Sequence, residues 1–180
     1  MKAATIARNY AEALFAAAAA KQDVVRFGAF MDAVAGAVQV DERIALALES
    51  PRVAKRVKTQ LLADALADTA PPEFVRFLQA IVRRGRQGLL ALISQEYQKL
   101  LDVKLNRVHA GVTLSAEPNT TLEQLVTDRL AAALGKEVRA HFRSDPRILG
   151  GVVVRVGDRV HDGSLRRRMA VLKRRMLTGE

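Results

Sequence analysis

The sequence contains no cysteine and no tryptophan, and only two of its 180 residues are tyrosine. Without cysteine, disulfides, thiolate nucleophiles and cysteine-ligated zinc are excluded. Aromatic residues make up 4% of the chain, too few to furnish a base-stacking platform for single-stranded nucleic acid. The longest apolar run, Ala13–Ala20, is alanine-rich and far short of the roughly 20 residues that span a bilayer. No basic segment and cleavage site precede it, so it does not read as a signal peptide. Phosphate-cradling glycine loops are also missing. On these absences the protein is expected to be soluble and intracellular, without thiol chemistry.

What is present is a normal globular balance of 49% hydrophobic and 27% charged residues, with a net charge of +10. A chain of this size can bury roughly 70% of its unfolded surface. Such a basic chain suits nucleic acid, an anionic surface or an acidic protein as partner. From Ala3 to about Asn106 the apolar spacing is helical. Breaks near Lys21, Gln39, Pro51, Pro71 and Gly85 mark off six stretches: Ala3–Ala20, Val24–Val38, Glu42–Glu49, Ala54–Ala67, Glu73–Arg84 and Leu89–Asn106. Short connections between them favour an antiparallel bundle.

Beyond Asn106 the period changes. Val108, Ala110, Val112 and Leu114 alternate with His109, Gly111, Thr113 and Ser115, the pattern of a half-buried strand. A helix is predicted at Leu122–Leu134, then strands at Glu137–Arg143 and Gly151–Val156. Gly157-Asp158 reads as a two-residue hairpin turn into Arg159–His161, and a last helix runs over Leu165–Leu177. The expected fold is mainly α: a six-helix antiparallel bundle over residues 1–106, followed by a small α+β domain over 107–180.

No constellation for catalysis emerges. His109, His141 and His161 fall in the second half, but none has a recognised metal-ligand spacing. His161 beside Asp162-Gly163-Ser164 superficially suggests a hydrolase, yet a triad needs side chains that converge in space. A turn ending in a helix cap at Ser164 is the better reading. Gly150-Gly151 leads into a strand and fits a bulge or a positive φ angle.

The helices carry more apolar surface than packing on one core requires. On the first, Ile6, Ala7, Tyr10, Ala11, Leu14, Phe15 and Ala18 cover nearly twice the stripe of about 100° that a surface helix needs. On the fifth, Phe74, Phe77 and Ile81 form one ridge and Val75, Leu78 and Val82 a second. The pattern allows one ridge to face the core and the other to line a groove for a partner helix. It equally allows six packed helices to bury both. The terminal helix differs: Leu165, Met169, Leu172 and Met176 share a stripe surrounded by Arg166, Arg167, Arg168, Lys173, Arg174 and Arg175. Residues 106–180 hold 14 basic and 8 acidic side chains, so these six charges equal the whole excess. A solvated face, an acidic or anionic partner, and nucleic acid all fit this helix.

Along almost its whole length the chain resembles a known family. The segment Ala7-Arg8-Asn9-Tyr10-Ala11-Glu12-Ala13-Leu14-Phe15 is similar to the first helix of the delta subunit of F-type ATP synthases, whose mitochondrial relative is the oligomycin-sensitivity-conferring protein. Ser50-Pro51, the stretch from Phe77-Leu78 to Gly85-Arg86, and Asp145-Pro146 with Ile148-Leu149 match further. Most specific is Gly150-Gly151-Val152-Val153-Val154-Arg155-Val156-Gly157-Asp158, continuing to Asp162-Gly163-Ser164. Against the family's usual pattern, Arg84 stands where Asn is frequent, Met169 where Leu is, and the last helix is richer in arginine.

The resemblance implies a non-catalytic stator subunit with no cofactor, a peripheral component at the cytoplasmic face of the bacterial plasma membrane. Its amino-terminal domain would hold the N-terminal helix of the alpha subunits, and its carboxy-terminal domain the b subunits of the peripheral stalk, resisting rotor torque during ATP synthesis. The groove positions expected on this basis are Tyr10, Ala11, Leu14, Val75, Leu78 and Val82. Arg155, Val160 and Arg168 are candidates for the stalk contact. The alternative is a basic nucleic-acid-binding protein using the C-terminal helix.

Overall fold

In the computed structural model, residues 2–67 and 69–178 are described. Six helices come first: α1 (Lys2–Ala20), α2 (Val24–Val40), α3 (Glu42–Glu49), α4 (Lys55–Leu66), α5 (Pro72–Arg83) and α6 (Leu90–Lys104), the last preceded by a 3-10 turn at Gln87–Leu89. Then follow β1 (Arg107–Leu114), α7 (Thr120–Leu134), β2 (Glu137–Ser144), β3 (Val152–Val156), β4 (Arg159–Asp162) and α8 (Leu165–Thr178). The architecture is therefore a helical bundle with a small α+β unit, as the periodicity implied. The chain divides into two compact units, Met1–Val103 and Lys104–Glu180.

Local chemistry sets the boundaries. Asp41 ends α2 and begins α3, accepting a hydrogen bond from the Arg43 N–H at 2.8 Å. One residue thus serves as stop and start, and α2 runs two residues past its expected end. Pro72 occupies the first turn of α5, where its missing N–H costs nothing. At the other end Gly85 (φ +67°) donates to the Val82 carbonyl and Arg86 to that of Ile81, the paired bonds of a Schellman motif. Asn119 caps α7 by accepting from the Leu122 N–H at 2.8 Å, so this helix starts two residues earlier than its apolar pattern suggested.

The first unit is built around Ala7, Ala11, Leu14 and Ala18 of α1, Phe27 and Met31 of α2, Phe74, Leu78 and Ile81 of α5, and Ile93 and Tyr97 of α6. Phe27 meets Phe74 edge-on, with ring centroids 6.0 Å apart. Gly28 lets α6 come close, since a Cβ there would lie 3.2 Å from both Leu101 and Tyr97 side-chain atoms.

In the second unit the strand order is β2-β1-β3-β4. β1 and β2 are parallel, joined through α7, whereas β1–β3 and β3–β4 are antiparallel. The turn at Gly157 (φ +57°) closes the β3–β4 hairpin where the sequence placed it. Leu130 and Ala131 of α7 pack on Ala110, Val138 and Val154 of the sheet.

Candidate protein-docking site

Two ridges run side by side along α1, each with residues spaced four, three and four apart. Ala7, Ala11, Leu14 and Ala18 form the inner one and are at most 1% exposed. Ile6, Tyr10, Ala13 and Ala17 form the outer one, which is half-buried at Ile6 and Tyr10 and exposed at Ala13 and Ala17. The spare apolar flank is real, but it belongs to this outer ridge. Ala11 and Leu14 are core residues, and so are Leu78 and Val82 of α5, each about 1% exposed. These four do not line an open groove in this chain.

The reason lies in what covers α5. Its Val75–Leu78–Val82 ridge turns toward the core and α4: the Gln79 side chain reaches the Thr59 carbonyl at 3.4 Å, and Lys55 Nζ donates to the Arg83 carbonyl at 2.9 Å. Val75 itself is half-buried. The flank of α5 next to α1 carries Phe77, whose ring lies edge-on to Tyr10 with centroids 6.2 Å apart.

Between the outer ridge of α1 and the turn after α5 lies a surface furrow of about 380 Å³, lined by Ile6, Asn9, Tyr10, Ala13, Arg84 and Arg86. Its floor is apolar and one wall is cationic. The Arg86 guanidinium sits 6.0 Å from the centre of the Tyr10 ring, within the range of a cation–π contact. Among the described residues the buried Tyr10 hydroxyl finds no hydrogen-bond partner, a state that costs free energy. Of the six expected groove residues, only Tyr10 lines this furrow; Ile6, Asn9, Ala13, Arg84 and Arg86 are not among the expected groove positions.

In the second unit Arg155 and Val160 are paired across β3 and β4 and both are exposed. Arg168 stands on a different element, α8, at a recess of about 400 Å³ shared with Asp162, Arg167, Val171, Leu172 and Arg175. α8 begins at a cap: Ser164 Oγ accepts from the Arg167 N–H at 3.2 Å, while the Ser164 N–H donates to Asp162 Oδ1 at 3.0 Å. Hydrogen bonding from Ser164 to the Asp162 carboxyl holds that carboxyl below its ordinary range. Ser164 is therefore a capping residue, not a nucleophile.

The histidines do not gather either. His109 Nδ1 and His141 Nε2 share a hydrogen bond at 3.1 Å on β1 and β2, whereas His161 lies on β4 at the opposite edge of the sheet. Among the described residues no group of three His, Asp or Glu side chains is placed to hold a metal ion.

Fold and surfaces together give an all-helical unit with a furrow of mixed apolar and cationic lining, and an α+β unit with a basic amphipathic helix at its end. Comparison with known proteins makes this specific. Residues 6–176 match the family described as ATP synthase delta (OSCP) subunit. The chain is 46% identical to the ATP synthase subunit delta of Gemmatimonas aurantiaca, covering 96% of this chain and 93% of that one. It is 32% identical to the subunit delta of Chlorobium phaeovibrioides, covering 100% and 99%. Its fold is similar to that of a chain in the cryo-EM structure of the Toxoplasma gondii mitochondrial ATP synthase hexamer, with TM-score 0.68, 20% identity, and 95% and 97% of the two chains covered. The chain belongs to the ATP synthase delta (OSCP) family. It is a non-catalytic, stator-associated subunit of the ATP synthase complex, and none of these relatives favours the nucleic-acid reading.

Proposed function

We propose that the first unit clasps the N-terminal helix of an alpha subunit in the furrow between α1 and the turn after α5, while the second unit engages the b subunits of the peripheral stalk. Held at both ends, the chain ties the catalytic head to the stator against rotor torque, as a peripheral component on the cytoplasmic face of the bacterial plasma membrane. The observation that carries this reading is the outer ridge of α1. Ile6, Tyr10, Ala13 and Ala17 continue the helical period of the core ridge yet remain outside it. Alanines there let a second helix approach closely, and Arg84 and Arg86 supply polar anchors at one wall. This is the helix-in-groove mode of recognition.

The test is a titration of the full chain with a peptide of the alpha-subunit N terminus from the same organism. Micromolar binding is expected, weakened at least tenfold by Ala13→Glu with the unfolding midpoint unchanged, because Ala13 is exposed. Absence of binding, or wild-type affinity in Ala13→Glu, overturns the groove assignment.

A further inference from the structure

The apolar residues of α8 follow the spacing of a coiled-coil seam. Leu165, Met169, Leu172 and Met176 are four, three and four residues apart, the a/d pattern of a heptad. At 100° per residue they fall within about 60° of the helix circumference. They are left uncovered: exposure is 46% at Leu165, 63% at Met169, 60% at Leu172 and 78% at Met176. The adjoining e and g positions of the same heptad are Arg166, Arg168, Lys173 and Arg175, so every flanking position is basic.

The geometry points to a single kind of occupant: another α-helix with its own apolar a/d seam and carboxylates at its e and g positions, packed along α8 as one strand of a short coiled coil. Charge complementarity selects the acidic helix, since opposite charges at e and g set partner choice in such pairs. A second copy of this chain is disfavoured, because four cations would face four cations across the seam. An anionic lipid surface fits less well, since interfacial helices bury a broad apolar face and this stripe is narrow. The inference deepens the stalk contact proposed above and rests on that reading for the identity of the helix. For the chemistry of its partner it stands on α8 alone.

The experiment uses the full chain and two labelled synthetic peptides of about four heptads, both with Leu at a and d, one with Glu and one with Lys at every e and g. Anisotropy titration should show the Glu peptide binding at least tenfold tighter than the Lys peptide, with affinity falling as salt rises from about 50 to 300 mM. A variant carrying Arg166→Glu, Arg168→Glu, Lys173→Glu and Arg175→Glu should reverse that preference, an outcome that also proves the variant folded. Met169→Asp should abolish binding of either peptide. Equal affinity for the two peptides, retention on phosphatidylglycerol vesicles in place of peptide binding, or self-association on sedimentation overturns the inference. Co-purification with the stalk from washed membranes separates the two claims. A chain that assembles but ignores the Glu peptide sinks the heptad inference alone; one that binds the peptide but never assembles sinks the stalk reading.

Discussion

Lys58 is 4% exposed, a rare state for a lysine, and its ammonium is spent on the end of α3: Nζ donates to the Leu48 carbonyl at 2.6 Å and the Ser50 carbonyl at 2.8 Å. A cation at a helix C terminus satisfies carbonyls the helix cannot pair and interacts favourably with its dipole. Lys58→Met should therefore lower stability by about 1–3 kcal/mol, the cost of leaving buried acceptors unmade. Urea unfolding followed by near-UV circular dichroism in the tyrosine band reads this directly, since both tyrosines, Tyr10 and Tyr97, lie in the first unit. Tyr97 carries its own prediction. Its hydroxyl donates to the Val24 carbonyl at 2.8 Å, and burial, aided by the charge of Asp23, pushes its pKa up from 10.0. Above pH 10 the unfolded tyrosine loses its proton first, so the native state binds more protons and stability falls as pH rises. Tyr97→Phe should flatten that alkaline decline in a pH series of unfolding midpoints, at the cost of the bond to Val24. Neither role was legible in the sequence. Lys58 reads there as one of 29 basic residues, and only the docking of α4 against α3 gives it an address.

At the scale of elements, α8 depends on two devices that lie beside it. Ser164 caps it, and Gly150-Gly151 lets the start of β3 pass beneath it. The Gly150 carbonyl accepts from the Leu165 N–H at 2.9 Å, and a Cβ on Gly151 (φ +85°) would stand 2.5 Å from the Gly163 carbonyl oxygen. Gly151→Ala thus meets backbone on one side and an unfavourable φ on the other, and should loosen the second unit by roughly 1–3 kcal/mol. Ser164→Ala should cost about 1 kcal/mol, seen as roughly fivefold faster amide exchange through the first turns of α8. Because the Asp162 carboxyl is held below its ordinary 3.8 by the Ser164 bonds, its contribution is fully present above pH 3.8 and fades as pH falls through the lowered native value. Asp162→Asn should remove that acid sensitivity from α8 exchange. The sequence announced both devices, since a glycine pair before a β run and a serine before a helix are local signals.

For the molecule as a whole, the division into two compact units predicts that damage stays local. Leu14→Asp places a carboxylate where exposure is 1% and should unfold the first unit while amide protection in β1–β4 persists. Loss of protection in both units together would contradict the division. Helix and strand existence, the turn at Gly157 and the cap at Ser164 were all determined by the sequence alone, because they depend on period, turn chemistry and neighbours within a few residues. Which ridge of α1 faces outward was not. Ala7–Ala11–Leu14–Ala18 and Ile6–Tyr10–Ala13–Ala17 have the same spacing, offset by one residue, so periodicity cannot choose between them. Only the packing of α2, α5 and α6 buries the first and leaves the second free to hold a partner. That choice is made by contacts between distant segments, which a one-dimensional pattern does not contain.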